Sequence, residues 1–147
     1  MIDLQQAMRL EAGQFFKGIT LFAASALLNT EDLQEFINGN LEIRYSFLPR
    51  YAVSNTGRVF DLKKLEEILP WNNGKGYWYI TGYIDTPEGK IKKNFKTSRL
   101  VAMSYCEYYI NGEDVDHIDY DKENNSAKNL QFLTHKQNIQ RRRRGTK

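Results

Sequence analysis

Residues 115–139 of this chain, VDHIDYDKENNSAKNLQFLTHKQNI, decide the fold of its carboxyl-terminal part. Two short segments, residues 114–118 and 130–133, have strand-forming composition and are separated by a loop rich in Asn and Asp. Thr134 and Gln137 then form the pattern of a capping box, in which two side chains satisfy backbone amides at a helix start. The stretch therefore predicts the order strand, loop, strand, helix, with Thr134 as the N-cap.

The same stretch carries the side chains that a phosphodiester-hydrolysing site needs. A hard divalent cation such as Mg²⁺ prefers oxygen ligands and keeps several waters, so one or two protein ligands suffice, and Asp116 and Asn138 offer such oxygens. A neutral imidazole has the basicity to remove a proton from water near neutral pH, and His117 offers one. The pattern indicates metal-assisted hydrolysis.

With this spacing the segment resembles the HNH endonucleases, in particular the phage and intron-encoded homing endonucleases, whose core is a ββα-metal hairpin and helix. An Asp-His pair, an Asn after the loop and a second Asn at the start of the last helix carry the resemblance, which extends over residues 46–142. It implies that His117 is the general base and that Asn129 supports it. It also implies one divalent cation, Mg²⁺ or Mn²⁺, bound by Asp116 and Asn138.

The interpretation makes one structural demand on the first strand. Neighbouring residues on a regular strand point to opposite faces of the sheet. Asp116 and His117 can therefore act on one phosphate only if the strand bends or ends near His117.

The composition is that of a folded protein with a nucleic-acid partner. The chain has 147 residues and a net charge of +3, and its first 45 residues carry three basic against six acidic side chains. All of the positive excess therefore lies after Tyr45. Lys and Arg that neutralise phosphates gain affinity by releasing counterions, so this asymmetry favours double-stranded DNA as the partner.

Cysteine, histidine and hydropathy exclude several other classes. One Cys and two His cannot form an internal disulfide or the usual four-ligand zinc site. The apolar residues 19–28 are too few to span a bilayer, so no membrane partner is expected. We expect a cytoplasmic protein of a bacterial or phage-infected cell.

The whole chain is predicted to have an α+β fold with three parts. Residues 1–45 form a helical N-terminal extension, in which residues 2–38 are helical and Thr30 caps a helix. Residues 46–110 form a β-rich DNA-binding module, and its segment 51–59, YAVSNTGRV, is similar to the module that often precedes HNH domains. Residues 111–147 form the ββα-metal motif with a basic tail. The N-terminal part packs on the sheet or, as the alternative, mediates self-association or protein contact.

A hairpin in the middle part is predicted to carry DNA contacts. Residues 77–84 and 90–97 flank a turn at 86–89, TPEG, and strand alternation puts Lys90, Lys92 and Lys96 on one face. Such a ribbon fits the major groove, although a solvated face is the alternative. The residues predicted to contact DNA are Arg58, Lys90, Lys92, Lys96, Arg99, His135 and Arg142.

Three features qualify the assignment. Ser98 stands where relatives usually have a His, which removes one phosphate or backbone contact. The run RRRR at 141–144 continues the last helix along DNA, forms a basic tail, or serves as a localisation signal. Residues 119–130 lack the Gly and the final Glu of a calcium loop, so that interpretation is set aside.

The predicted function is an HNH endonuclease that nicks one strand per active site. The alternative is a DNA- or partner-binding module with little or no turnover.

Overall fold

The computed structural model describes residues 9–10, 17–106, 108–109 and 114–145. The helices are α1 (Leu21–Leu27), α2 (Thr30–Ile37), α3 (Thr97–Tyr105) and α4 (His135–Gly145). The strands are β1 (Arg9–Leu10), β2 (Ile43–Tyr45), β3 (Tyr51–Ser54), β4 (Val59–Asp61), β5 (Glu66–Ile68), β6 (Trp71–Asn72), β7 (Trp78–Thr86), β8 (Gly89–Lys96), β9 (Tyr108–Tyr109), β10 (Asp114–His117) and β11 (Leu130–Leu133).

The strands form small antiparallel sheets. β2, β3, β4 and β5 follow one another in a four-stranded sheet, and β6, β7 and β8 form a second sheet of three strands. β10 pairs with β11, and β1 pairs with β9. The predicted combination of helices with small antiparallel sheets is confirmed, including the long hairpin of β7 and β8.

The helix α2 is capped one residue before the predicted cap, Thr30. Asn29 rather than Thr30 caps α2, because its side-chain oxygen accepts the backbone N–H of Asp32 at 2.8 Å. The apolar sides of α1 and α2 pack on the four-stranded sheet, in a cluster that includes Ala24, Ile43 and Phe60.

The prediction of helical structure over residues 2–38 is wrong at residues 17–20, which are not helical, and at Arg9–Leu10, which pair as a strand with Tyr108–Tyr109. Pairing with a segment distant in the chain overrides the local helical pattern there. The other predicted helical residues before position 17 lie outside the described residues.

The main core joins the middle and carboxyl-terminal parts of the chain. Tyr51, Ile80, Leu100 and Leu130 are all buried in one hydrophobic cluster. The helix α3 lies at its centre and packs against β3, β7, β8, β10 and β11. Residues on both sides of position 110 therefore share one core.

The carboxyl-terminal motif has the predicted order of strand, loop, strand and helix. Its first strand ends at His117, as a site shared by Asp116 and His117 requires. Asp114 pairs with Leu133 and His117 with Leu130, so β10 ends at His117. The chain then turns, with the N–H of Tyr120 donating to the carbonyl of His117 at 2.9 Å. The capping box is confirmed, since Thr134 and Gln137 exchange hydrogen bonds of 3.0 and 3.2 Å at the start of α4.

Within the described part of the chain, every helix falls short of the length and apolar character needed to cross a bilayer.

Candidate active site

A cavity of about 330 Å³ lies where β10, the loop after it and α4 meet. Asp116, His117 and Asn138 line it, and they are 7%, 7% and 6% exposed. The predicted base and the two predicted metal ligands are therefore brought together. The remaining lining residues are Tyr77, Val115, Tyr120, Lys122 and Arg142.

Asn125 sets the orientation of the His117 ring. The Nε2 atom of His117 lies 2.8 Å from the Oδ1 atom of Asn125, and both residues are buried. An amide oxygen can only accept, so this contact is a hydrogen bond in the ring form that carries a proton on Nε2. Asn125 was not among the predicted site residues.

Asn129 lies in the loop after β10 and hydrogen-bonds to other residues of that loop. Its Nδ2 donates to Oδ1 of Asp119 and to the carbonyl of Asn124, both at 2.9 Å, and its Oδ1 accepts the N–H of Asp119 at 3.1 Å. Asn129 was predicted to hold His117 through the loop; it braces the loop next to Asn125, whose side chain contacts the ring, and its effect on His117 stays a prediction. Hydrogen bonds from Asn124, the N–H of Asp121 and Asn129 lower the pKa of Asp119 to about 2.

Asp116 is held by two partners on one oxygen. Gln131 Nε2 donates to Oδ2 at 2.8 Å, and Nε of Arg141 lies 2.9 Å from the same atom. The Arg141 contact is ionic rather than a directed hydrogen bond, since the buried Nε–H is not aimed at the carboxylate. Arg141 is fixed elsewhere, by donation to the carbonyl of Ile118 at 3.0 Å and by the ring of Tyr120.

Asp114 decides which atom of Asn138 faces the cavity. The amide Nδ2 of Asn138 donates to Oδ2 of Asp114 at 3.1 Å, which leaves the Asn138 oxygen as the group that can bind a cation. His135 Nδ1 contacts the same carboxylate oxygen at 2.8 Å. The hydrogen bonds from His135 and Asn138 lower the pKa of Asp114 below its ordinary value.

The residues present fit one hard divalent cation. Asp116 contributes a carboxylate and Asn138 an amide oxygen at the same cavity wall, and both are oxygen ligands of the type that Mg²⁺ and Mn²⁺ prefer. Groups of three or more His, Cys, Asp or Glu suited to a metal do not occur among the described residues. A two-ligand site completed by water agrees with this set.

A second cavity of about 270 Å³ adjoins the first and shares Tyr77, Val115, Asn138 and Arg142 with it. Four predicted DNA contacts line it, namely Lys96, Arg99, His135 and Arg142. Ser98 is 5% exposed and also borders this space. The basic side chains therefore lie beside the candidate catalytic residues.

Tyr77 lines both cavities, and two lysine side chains lie against its ring. The Nζ atoms of Lys96 and Lys122 lie 4.0 and 4.2 Å from the ring centre, within the range of cation–π attraction. Neither Tyr77 nor Lys122 was predicted as a site residue. The aromatic run before β7 marks a strand but does not indicate which ring reaches the site.

Lys90 and Lys92 lie farther along β8, on its exposed part. The same sheet carries Trp71 and Tyr79, whose rings stack with centres 5.1 Å apart. This pair was also missed, because Trp71 belongs to the short strand β6, which the local pattern did not predict.

Arg58 is occupied within the protein. Its Nη1 and Nη2 donate to the two carboxylate oxygens of Asp32 at 3.0 and 2.8 Å, and Nη2 also donates to Glu67 at 2.7 Å. These hydrogen bonds, Asp32 first and Glu67 second, raise the pKa of Arg58. The prediction that Arg58 contacts DNA is corrected, since this geometry joins α2 to the sheet instead.

Comparison with known proteins agrees with this site. The family model for HNH endonucleases matches residues 95–140, from the end of β8 into α4. The DNA endonuclease I-HmuI of Bacillus phage SP01 is 38% identical over 90 residues, which are 61% of this chain. A solved structure of DNA binding and cleavage by the HNH homing endonuclease I-HmuI superimposes with a TM-score of 0.58 at 36% identity. Residues 95–140 thus match the HNH endonuclease family, and 67% of the chain is similar to the HNH homing endonuclease I-HmuI.

The match covers only part of each relative. An uncharacterized HNH endonuclease of Acanthamoeba polyphaga mimivirus is 36% identical over 89 residues, which are 60% of this chain and 26% of that protein. The I-HmuI sequence is covered to 49%, and its solved structure to 55% by 67% of this chain. This HNH chain thus spans about half of I-HmuI. Among the residues that line the first cavity, all those from Asp116 to Asn138 lie within the family match.

Proposed function

We propose that this chain is a metal-dependent DNA endonuclease that hydrolyses phosphodiester bonds and nicks one strand per active site. One observation carries the proposal: His117, Asp116 and Asn138 line a single cavity. Lys96, Arg99 and the other basic residues of the adjoining cavity support DNA as the substrate. The similarity to I-HmuI, a DNA endonuclease, supports the reaction type.

His117 acts as the general base. Its Nδ1 lone pair accepts a proton from water while the water oxygen bonds to phosphorus, in line with the leaving 3′ oxygen. The bond between phosphorus and that oxygen breaks, and the oxygen takes a proton from solvent. The hydrogen bond from Nε2 to Asn125 strengthens as the ring becomes positive, which stabilises the imidazolium.

Asp116 and Asn138 hold the cation that this chemistry needs. Mg²⁺ or Mn²⁺ bound there supplies positive charge for the phosphate oxygens and the leaving oxygen. Gln131 and Arg141 fix the carboxylate of Asp116, and Asp114 fixes the amide of Asn138. Both ligands are thus oriented before substrate binds, which reduces the reorganisation required in the reaction.

Double-stranded DNA lies along the basic residues of α4, α3 and β8 in this proposal. Arg142, Arg99, Lys96 and His135 contact phosphates near the scissile bond, and Lys90 and Lys92 contact phosphates farther away. Phosphate contacts fix the register of a protein on DNA without reading its sequence.

A second candidate function is a DNA- or partner-binding module with little turnover. The ion pair between Arg141 and Asp116 favours it, because a cation already lies against the proposed metal ligand. Exposed apolar residues of α1, Leu21 and Phe22 at 57% and 85% exposure, are a surface for protein contact or self-association through residues 1–45.

The deciding experiment compares wild type with His117→Ala on supercoiled plasmid and on a random-sequence duplex pool, with Mg²⁺, Mn²⁺ or EDTA. We expect metal-dependent open-circle product from wild type, and a loss of about 10²- to 10⁴-fold in the variant with DNA binding retained. Linear product would indicate paired active sites. Cleavage in EDTA would contradict the metal requirement, and DNA binding without cleavage of either substrate would favour the binding module.

A further inference from the structure

We propose that Asn125, seated on Gly57 of the turn between β3 and β4, is a positioning residue that holds His117 in the tautomer needed for proton abstraction. The inference rests on the proposed nuclease function and deepens it. It makes a turn of the preceding β-rich module part of the structure that supports the catalytic base.

The contact with the base joins two buried side chains. His117 and Asn125 are 7% and 8% exposed, and Nε2 and Oδ1 lie 2.8 Å apart. The other tautomer would place a proton on Nδ1 and leave Nε2 facing Oδ1 with two lone pairs opposed. The amide oxygen therefore selects the form whose Nδ1 accepts a proton.

Asn125 is held by close backbone contact with Gly57. Gly57 has a φ of +90°, and a Cβ atom built there would lie 2.8 Å from the carbonyl oxygen of Asn125 and 2.9 Å from its carbonyl carbon. These distances are shorter than any van der Waals contact, so the backbone of Asn125 rests directly on the glycine. A side chain at position 57 must push Asn125 away or strain the turn.

The loop is also tied to the same turn beyond Asn125. The N–H of Ala127 donates to the carbonyl of Asn55 at 2.8 Å. The turn itself is stabilised by Ser54, which is fully buried and whose hydroxyl accepts the N–H of Arg58 at 2.9 Å. The loop is therefore tied to this turn at two points, through Gly57 at Asn125 and through Asn55 at Ala127.

Variants of Asn125 test the contact with the ring. Asn125→Ala removes the acceptor, so we expect a mixture of His117 tautomers and a loss of cleavage of about tenfold or more. Asn125→Asp keeps an acceptor oxygen and adds a negative charge. It should retain the Nε2–H tautomer and move the pH-rate profile to higher pH, because a nearby anion favours the protonated imidazole.

Gly57→Ala tests the contact between Gly57 and the backbone of Asn125, and Gly39→Ala is its matched control. Gly39 has a φ of +83°, yet a Cβ atom there meets nothing within 4 Å. Both variants therefore carry similar backbone strain, and only Gly57→Ala disturbs Asn125. We expect about a tenfold loss of cleavage and altered His117 ring nitrogen shifts for Gly57→Ala alone. Equal effects in the two variants would show that the contact between Gly57 and Asn125 does not position His117.

The tautomer is measured by long-range ¹H–¹⁵N NMR of the resting protein, with the second histidine assigned through His135→Gln. This readout needs neither DNA nor metal. If wild type does not cleave DNA but the tautomer responds to Asn125→Ala, the nuclease proposal fails and the positioning contact stands. If wild type cleaves and Asn125→Ala changes neither the tautomer nor the pH profile, the inference is overturned. If Gly57→Ala does not fold, the Asn125 variants decide.

Discussion

Asp114 shows how one carboxylate outside the predicted site controls a predicted ligand. Its Oδ2 accepts the amide N–H of Asn138, which directs the Asn138 oxygen to the cavity. We expect Asp114→Ala to let this amide rotate and to raise the Mg²⁺ concentration for half-maximal cleavage by about 10- to 100-fold. Asp114→Asn retains an acceptor oxygen and should raise it much less. Mg²⁺ titration of the cleavage rate measures both, and similar shifts in the two variants would contradict the orienting role.

The residues with intrinsic chemistry were predictable from sequence, whereas their hydrogen-bond partners were not. Asp116, His117 and Asn138 have the carboxylate, imidazole and amide groups that the proposed reaction needs, and they meet at one cavity. Asn125 and Asp114 act only through contacts, and a contact depends on the path of the loop and on side-chain rotamers. The loop contains several Asn residues, so composition alone does not identify the one that reaches His117.

At the scale of elements, the two faces of β8 offer a test of DNA binding. Lys92 and Lys93 are exposed neighbours that alternation points to opposite faces, and Lys93 lies 5.8 Å from the ring centre of Phe95 on the core side. Lys92→Ala should weaken binding uniformly across sequences and reduce the slope of log affinity against log salt by about 1. Lys93→Ala is the control and should leave the slope unchanged. Anisotropy titrations at several salt concentrations measure it, and equal slopes would assign Lys92 to solvent.

Arg58 joins elements that are far apart in sequence, α2 through Asp32 and β5 through Glu67. Its side chain is 31% exposed, so water screens part of the attraction. We expect Arg58→Met to lower the free energy of unfolding by about 1–2 kcal/mol in urea denaturation, since several charge-assisted hydrogen bonds are lost. The salt dependence of DNA binding should not change. A stable variant with a smaller salt slope would restore Arg58 to the DNA contacts.

These elements also mark where prediction from the chain stops. The carboxyl-terminal order of strand, loop, strand and helix follows from local signals, because Thr134, Gln137 and the alternating apolar residues lie within one segment. The pairing of Arg9–Leu10 with Tyr108–Tyr109 joins distant segments, and no local pattern indicates it. Arg58 was misassigned for the same reason, since a basic residue beside a glycine turn does not reveal its acidic partners.

At the scale of the whole molecule, the carboxyl-terminal ββα motif shares its core with the residues before it. Leu130 of β11 is 4% exposed and packs in one cluster with Tyr51 of β3 and Leu100 of α3. The loop that holds Asn125 rests on the β3–β4 turn as well. The division at residue 110 that the sequence suggested follows motif boundaries, and the buried contacts cross it.

We therefore expect the segment 111–147 to be unfolded when produced alone. Isolated chains below about 40 residues rarely bury enough surface to fold without a metal, disulfide or partner, and this segment would lose the residues that cover Leu130. Far-UV circular dichroism and amide proton dispersion, each with and without Mg²⁺, measure the outcome beside the full chain. Leu130→Ala in the full chain should cost about 2–4 kcal/mol of unfolding free energy if the shared core is required. A folded fragment that cleaves DNA would instead make the catalytic motif independent, and the contacts of Gly57 and Leu130 would then be dispensable for its structure.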